Sequence, residues 1–147
     1  MPRIRDILTA NRPLHWLSAS STVTDAVKLM VEHNVGALPV LEGDRLVGVL
    51  SKRDLMRRVI VRGLDIGSVT VAAAMTSDII TADIDDDHLT CLKKMTSRNC
   101  RHLPVIAGSK LVGFLSSRDL MRVDAEGKEL EIKSLTDYIH YVPPVRE

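Results

Sequence analysis

The sequence predicts a mixed α/β (α+β) fold in which two tandem β-α-β-β-α repeats pack as a pseudo-twofold pair. The first observation is a duplication: between residues 34–57 and 99–122, fifteen of twenty-four aligned positions are identical at a constant spacing of 65. The second is that apolar, strand-like runs alternate with stretches of helical periodicity. The third is that half of a 147-residue chain is too short to bury a generous core alone. The repeated residues of the first copy are Asn34, Leu38, Pro39, Val40, Gly43, Leu46, Val47, Gly48, Leu50, Ser51 and Arg53–Arg57.

The composition excludes several classes of protein. Twenty Lys and Arg against nineteen Asp and Glu give a formal net charge of +1, too weak a field for nonspecific binding to nucleic acid or a membrane surface. No apolar run approaches the roughly 20 residues of a membrane-spanning helix. The charged start at residues 2–6 lacks the apolar region of a secretory signal. We therefore expect a cytoplasmic protein whose partner is a specific small molecule or another protein.

The first repeat begins with a short helix, a short strand and a longer helix. Apolar spacing over residues 4–8 predicts the short helix, which Asn11, Arg12 and Pro13 should end, and residues 14–18 are expected to form the strand. Thr22-Val23-Thr24-Asp25 has the form of a capping box and predicts the start of the longer helix, which should end near residues 33–34. Its buried stripe is expected to comprise Ala26, Val27, Met30 and Val31.

A hairpin and a second helix complete the first repeat. Two apolar runs, 37–41 and 45–50, flank Glu42-Gly43-Asp44, which is typical of a hairpin turn. The second helix should begin after Ser51 and end at Gly63. Its buried stripe is expected to comprise Leu55, Met56, Val59 and Ile60.

The second repeat follows a linker at residues 65–70 and has the same order of elements. Asp87 is expected to cap its longer helix, whose buried residues should include Leu89, Leu92 and Met95. The expected elements are a short helix at 71–75, a strand at 79–82, a helix at 88–97, strands at 102–106 and 111–115, and a helix from 117.

The stretch between the last strand and the last helix recurs most fully. Residues 48–54 read Gly-Val-Leu-Ser-Lys-Arg-Asp and residues 113–119 read Gly-Phe-Leu-Ser-Ser-Arg-Asp. In both, a hydroxyl, a guanidinium and a carboxylate meet the unpaired N–H groups and the positive dipole end of a helix start. Helix capping, with Ser as N-cap and Asp at N3, is one interpretation. A nucleotide-binding junction is the other, and the two are compatible.

The duplicated motif resembles the CBS domain, and two copies resemble a CBS pair, or Bateman module, of the stand-alone bacterial type. The resemblance is carried by Asn-x-x-x-Leu-Pro-Val and Leu-Val-Gly-x-Leu-Ser-x-Arg-Asp-Leu, each present twice between Ile4 and Arg122. It implies a first CBS repeat with its N-terminal helix at 1–68, a second at 69–125 and a helical tail at 126–147. The tail is expected to pack on its own module or on a partner subunit.

The resemblance also implies a ligand and an assembly. CBS pairs bind adenosine-containing ligands, namely AMP, ADP, ATP, NAD or S-adenosylmethionine, in two clefts between the repeats. The family further implies a disc-shaped homodimer built from two pairs. No catalytic cofactor, nucleic acid or membrane is implied.

The junction residues are the candidates for ligand binding. The resemblance implies that Asp54 and Asp119 accept hydrogen bonds from ribose hydroxyls, with Ser51 and Ser116 beside the ribose-phosphate. A guanidinium suits bidentate phosphate contact, although an exposed Arg paired with its neighbouring Asp is the alternative. An apolar slot would hold adenine, although core packing explains its two candidates equally well. The nucleotide-binding candidates are Leu17, Ser51, Arg53, Asp54, Ile80, Arg101, His102, Ser116, Arg118 and Asp119.

One difference between the repeats predicts unequal clefts. Before Leu-Pro-Val, the first repeat has Gly36-Ala37 and the second has Arg101-His102. The resemblance implies that basic residues at this position reach phosphate groups across the central cleft. We therefore expect one cleft to prefer a phosphorylated ligand and the other to be weaker or differently selective. If His102 contacts phosphate rather than lying at the surface, its pKa should rise and binding should weaken above neutral pH.

The remaining polar clusters favour structural roles. The acidic run at residues 83–87 and His88 lack the spacing and the Gly of a calcium loop, which favours a solvated turn and a helix cap. Cys91 and Cys100 have no C-x-x-C spacing and are expected to be buried thiols. We expect no metal site.

A regulatory module is therefore favoured over an enzyme. The sequence has no P-loop, no G-x-S-x-G, no zinc spacing and no evident nucleophile-base pair. The leading hypothesis is a sensor that binds an adenosine ligand and signals through its dimer to an unknown client protein. The alternative is a structural dimerisation or adaptor protein with vestigial clefts, and an enzyme acting on nucleotides is the least favoured.

Overall fold

The computed structural model describes residues 2–8 and 13–123. These residues form two three-stranded sheets with helices, each unit with its own apolar core. The predicted mixed α/β class is confirmed. Within the two described ranges, no helix is long and apolar enough to cross a membrane. The expected helix stop at residues 11–12 and the expected tail at 126–147 lie outside the described residues.

The first sheet has the strand order β1-β2-β3, with β1 at Leu17–Ser18, β2 at Ala37–Glu42 and β3 at Arg45–Ser51. β1 runs parallel to β2, and β2 pairs antiparallel with β3. Gly43 in the turn has a φ of 62°, which glycine adopts without strain, so the predicted hairpin is confirmed. The first strand is shorter than the expected 14–18, because β1 pairs with β2 at only two positions.

The second sheet repeats this topology. β4 (Ala82–Asp83) runs parallel to β5 (His102–Ala107), and β5 pairs antiparallel with β6 (Lys110–Ser116). The strand expected at 79–82 is wrong for most of its length, since only Ala82 belongs to β4. An apolar pattern indicates an extended segment, but a strand also needs a neighbour within hydrogen-bond reach.

Each unit has a long helix that begins at a side-chain cap. In α2 (Val23–His33), Thr22 Oγ1 accepts a hydrogen bond from Asp25 N at 3.3 Å, which confirms the predicted capping box. In α5 (His88–Arg98), Asp87 Oδ1 accepts one from the backbone three residues on at 2.8 Å. The other helices are α1 at Ile4–Ile7, α3 at Lys52–Asp54 with a π-helical continuation at Leu55–Ile60, α4 at Val71–Ala74 and α6 at 117–123.

The buried faces of the helices differ from the expected stripes. Val31, Leu89, Met56 and Ile60 are exposed, the last two by 59% and 66%, so their expected burial is wrong. Helical periodicity indicates that one face of the helix is buried. It does not identify that face, because neighbouring rows of side chains have the same spacing. Contact with the sheet decides between those rows. The residues that α5 buries are His88, Cys91 and Met95.

Both cysteines are free thiols. Cys91 is fully buried, and burial raises its pKa to about 11. Burial also raises the pKa of the half-buried Cys100. A thiol with a raised pKa remains protonated near neutral pH and is a poor nucleophile or metal ligand. The expected role as a buried thiol is confirmed for Cys91.

The two short helices pack on the opposite units. Ile4 of α1 is fully buried in the core of the second unit, and its N–H donates to Asp86 O at 2.8 Å. Val71 of α4 is fully buried in the core of the first unit, and its N–H donates to Ser21 O at 2.7 Å. Each core is therefore closed by the short helix that precedes the other repeat.

The segment after α4 lies directly against β3. Thr76 N donates to Val49 O at 2.9 Å, and Val49 N donates to Thr76 O at 3.0 Å. A Cβ added at Gly48 would lie 2.6 Å from Met75 Sδ and 2.7 Å from Thr76 O. At Gly113, the added Cβ would instead meet the end of a flexible leucine side chain at 2.8 Å. Of these two glycines, only Gly48 faces a backbone atom, Thr76 O, which cannot move without breaking its hydrogen bond to Val49 N.

Gly48→Ala should therefore destabilise the protein by roughly 1–3 kcal/mol, the usual cost of overpacking. Gly113→Ala should cost less, because the leucine side chain has other rotamers. Urea denaturation of both variants measures the difference. Gly67→Ala is the control, since its new methyl would lie 3.6 Å from an Asp65 oxygen, an ordinary contact. Equal stability of the Gly48 and Gly67 variants would contradict the close approach.

Candidate functional site

The first predicted junction is a capping box at the start of α3. Ser51 Oγ accepts a hydrogen bond from Asp54 N at 3.2 Å. In return, Asp54 Oδ2 accepts from Ser51 N at 2.9 Å and from Ser51 Oγ at 3.1 Å. Asp54 is only 8% exposed. The capping interpretation is therefore correct for this pair, and it holds a carboxylate in a largely buried position.

The second junction has the same geometry. Asp119 Oδ2 accepts a hydrogen bond from Ser116 N at 2.9 Å, and Ser116 Oγ accepts one from Asp119 N at 3.1 Å. Asp119 is 5% exposed. Because an Asp at N3 and a Ser at N-cap lie three residues apart, the bond pattern follows from local sequence alone. Duplication of the motif thus produces two buried carboxylates that are capped in the same way.

Each junction also contacts the start of the middle strand of its own sheet. Lys52 N donates to Gly36 O at 3.0 Å, and Ser117 N donates to Arg101 O at 2.8 Å. In the first unit, glycine and alanine therefore lie beside the helix start. In the second unit, Arg101 and His102 lie there, so the structure brings these two predicted residues next to the Ser116 and Asp119 pair.

The imidazole of His102 stacks on an aromatic ring and is influenced by the charge of a nearby carboxylate. It stacks on Phe114, with ring centroids 5.4 Å apart and an interplanar angle of 10°. Burial lowers its pKa, the charge of Asp119 raises it, and the charge of Arg101 lowers it further. Burial is the largest of these effects, so the net pKa lies below the ordinary value.

Two residues that contact Asp54 are absent from the predicted site. Thr76 Oγ1 donates to Asp54 Oδ1 at 2.9 Å, and Arg58 Nε lies 4.0 Å from the same oxygen. The i, i+4 spacing of Asp54 and Arg58 is a signal that could have identified the ion pair. No local pattern links Asp54 to Thr76, which lies 22 residues away.

The other predicted residues are more dispersed. Arg53 and Arg118 are exposed on the helices that follow the junctions, and the ion pair of Asp54 is formed with Arg58 rather than with its neighbour. Leu17 is 5% exposed and belongs to the first core, whereas Ile80 is half-buried against the second. Packing accounts for both apolar side chains, and their contact with adenine remains a prediction.

Two surface depressions lie away from the junctions. Neither is lined by any of the ten predicted binding residues. One, of about 490 Å³, is lined by Ser18, Ala19, Ser20, Glu42, Gly43, Thr70 and Ala72. The other, of about 530 Å³, is lined by Leu14, Trp16, Leu41, Gly43, Asp44, Ser109, Lys110 and Leu111.

The acidic run is occupied by structural contacts. Asp87 caps α5, Asp86 pairs with Lys94 at 3.0 Å, and Asp85 pairs with Arg5 at 3.0 Å. Among residues 2–8 and 13–123, no three His, Cys, Asp or Glu side chains are grouped so that they could hold a metal ion.

Comparison with known proteins gives matches along most of the chain. The family model of the CBS domain matches residues 4–61 and 67–126. The mitochondrial CBS domain-containing protein CBSX3 of Arabidopsis thaliana is 36% identical over 129 residues, which cover 84% of this chain and 63% of that protein. The chain thus spans less than two thirds of the length of this relative.

Solved structures with CBS domains are also similar. A protein with CBS domains from Burkholderia ambifaria has a TM-score of 0.78 and 32% identity, covering 83% of this chain and 93% of that chain. The CBS domain pair of the protein MJ0100, solved with 5′-methylthioadenosine and S-adenosyl-L-methionine, has a TM-score of 0.75 and 25% identity. It covers 86% of this chain and 98% of that chain.

Removing the charge of Asp119 and removing the charge of Arg101 should shift the pKa of His102 in opposite directions. In the unsubstituted protein it should lie below 6.5, its ordinary value. Asp119→Asn should lower it further, because the variant loses the charge that favours protonation, and Arg101→Gln should raise it. An NMR titration of the imidazole C–H signals measures both shifts, with Asp44→Asn, on a hairpin turn, as the control.

The lowered pKa also affects stability. The unfolded chain binds the His102 proton more readily than the folded chain, so its contribution to stability is present above pH 6.5 and is lost as the pH falls through the folded pKa. A His102 pKa at or above 6.5 in the unsubstituted protein would contradict the burial described for this ring.

Proposed function

This chain belongs to the CBS-domain family, and from that premise we propose that it is a regulatory module that binds an adenosine-containing ligand between its two domains. The observation that carries this proposal is the pair of buried carboxylates, Asp54 and Asp119, each at a helix start in the same hydrogen-bonded arrangement. The MJ0100 complex with two adenosine compounds supports the same ligand class.

A buried carboxylate is suited to bind the hydroxyls of ribose. An ionised carboxylate accepts hydrogen bonds at about four lone-pair positions and donates none. At Asp54, the cap occupies positions on Oδ2, and Thr76 occupies one on Oδ1. Acceptor capacity is left for a ligand hydroxyl. Because the carboxylate is mostly shielded from water, a hydrogen bond formed there is stronger than one at an exposed surface.

The two clefts are proposed to be unequal. Arg101 and His102 lie at the start of β5, where the first unit has glycine and alanine. A guanidinium and an imidazolium both favour phosphate, so the cleft that they face should prefer a phosphorylated ligand. Since burial lowers the pKa of His102, a phosphate that contacts it must first favour its protonation. Binding in this cleft should weaken as the pH rises from the pKa of the free ring, which lies below 6.5, towards the higher pKa of the phosphate-bound ring.

We propose that the module signals as a homodimer. Met56 and Met121 occupy equivalent positions in the two repeats and are 59% and 58% exposed, and Ile60 is exposed on the same helix as Met56. Exposed apolar side chains repeated on symmetry-related helices are typical of a protein interface. A ligand would act on an unknown client protein by its different affinity for two arrangements of this dimer.

The adaptor hypothesis is supported by one observation of its own. The described bonds of both carboxylates include a complete capping box, which needs no ligand. An adaptor with vestigial clefts would keep these bonds and bind nothing. We propose no catalytic role, and the cytoplasmic location stays a prediction from the sequence.

A melting screen with AMP, ADP, ATP, NAD and S-adenosylmethionine tests the proposal. At a hundred times its dissociation constant, a ligand should stabilise the protein by about 2.7 kcal/mol. Asp54→Asn with Asp119→Asn should abolish the shift, and GMP is the matched control for adenine. Calorimetry with the best ligand should then give two unequal sites. No shift with any of the five compounds would favour the adaptor, and two equal, independent sites would refute the asymmetry.

The dimer is tested by charging its proposed interface. Met56→Glu with Ile60→Glu should convert the protein from dimer to monomer in sedimentation velocity, because two carboxylates per subunit cannot be buried without partners. Trp16→Glu is the control, since it also charges an exposed apolar residue but lies outside the helices. A dimer that persists in the double variant would exclude this interface.

A further inference from the structure

We propose that Thr76, together with Arg58, positions the carboxylate of Asp54 for ligand binding. Through this contact, occupancy of the Asp54 cleft becomes coupled to the docking on β3 of the inter-repeat linker, by which we mean residues 75–81 between α4 and β4. Because it rests on the proposed function, the coupling requires that the cleft bind a ligand through Asp54. Thr76 acts through its hydrogen bond to Asp54, so it is a positioning residue.

Thr76 restrains the orientation of the carboxylate. Oδ2 of Asp54 is held by two donors from Ser51, at 2.9 and 3.1 Å. The Thr76 hydroxyl holds Oδ1 at 2.9 Å, and Arg58 Nε lies 4.0 Å from the same oxygen. The last torsion of an Asp side chain is broad, so donors on both oxygens are needed to fix its plane. A fixed carboxylate spares a ligand the cost of ordering it.

The hydrogen bonds also determine which oxygen of Asp54 can accept a further hydrogen bond. Each carboxylate oxygen has two lone-pair positions. The two Ser51 donors use both positions on Oδ2, whereas the Thr76 hydroxyl uses one on Oδ1. An incoming hydroxyl that leaves the cap intact must therefore bind the same oxygen that Thr76 holds. This shared oxygen makes Thr76 sensitive to the ligand.

The linker is attached to this site at three points. Two backbone hydrogen bonds join Thr76 to Val49 of β3, at 2.9 and 3.0 Å. The guanidinium of Arg58 donates to Met75 O. The side chain of Thr76 bonds to Asp54. The absence of a side chain at Gly48 allows this approach. The linker and the carboxylate therefore form one connected set of contacts.

The linker leads directly into the second unit. Four residues after Thr76 the chain reaches Ile80, which packs against the second core, and β4 begins two residues later. A ligand that binds better to the positioned carboxylate also favours the docked linker, by an amount equal to its differential affinity. Occupancy of the Asp54 cleft is thereby communicated to the chain segment that joins the two domains.

The test compares Thr76→Val with Thr76→Ser in a chain that also carries Asp119→Asn, so that only the Asp54 cleft binds. The probe is whichever of AMP, ADP, ATP, NAD and S-adenosylmethionine gives the largest melting shift with this Asp119→Asn chain. Thr76→Val keeps the branched shape and removes the hydroxyl. It should weaken binding about fivefold in calorimetry, as expected if the ligand must now bear the cost of ordering the carboxylate. Thr76→Ser should restore most of the affinity, and Ser77→Ala, at the next and exposed position, should change nothing.

Hydrogen exchange shows whether ligand binding at Asp54 also stabilises the docking of the linker on β3. Hydrogen exchange at the Val49 and Thr76 amides should slow when ligand binds the Thr76 chain and should not slow in the Val variant. If Thr76→Val fails to fold, Arg58→Gln replaces it and should weaken binding in the same direction. Unchanged or tighter binding in these variants, with normal binding by the parent chain, would overturn the inference alone. Absence of binding by the Asp119→Asn parent chain would remove the coupling alone if the unsubstituted protein binds, and absence of binding by both would remove the proposed function as well.

Discussion

The architecture depends on the exchange of the two short helices between the units. Ile4 is buried in the second core, and Val71 and Ala74 are buried in the first. Neither sheet therefore has a complete core without a segment that precedes the other repeat. Because small domains bury too little apolar surface to be stable alone, this exchange makes the two repeats one cooperative structure.

The packing of α4 on the first core also brings the linker close to the Asp54 carboxylate. Once α4 is packed on the first core, the chain must leave along β3 to reach β4, and Gly48 permits it to pass in backbone contact. Thr76 then lies within hydrogen-bond distance of the carboxylate that caps α3. A requirement of core packing is thus also the reason that the Asp54 carboxylate is connected to the linker.

Duplication gives the two units similar backbone structures, and a few substitutions make the units different. The Ser–Asp capping boxes, the hairpins and the left-handed helix ends at Asn34 and Asn99 are the same in both units. At the start of the middle strand, glycine and alanine in one unit are replaced by Arg101 and His102 in the other, which adds charge beside Asp119 without altering the backbone.

The sequence by itself determined the duplication, the hairpins and both junctions, because the interactions involved are local. A cap joins residues three apart, and a glycine turn needs only its own backbone, so residue type and spacing are sufficient. The buried rows of the helices, the length of β1 and β4, and the contacts of Asp54 with Thr76 and of Ile4 with the second core were decided by the tertiary structure. These contacts join segments 22 or more residues apart. Their existence depends on which surfaces meet in three dimensions, and no short pattern in the chain encodes that meeting.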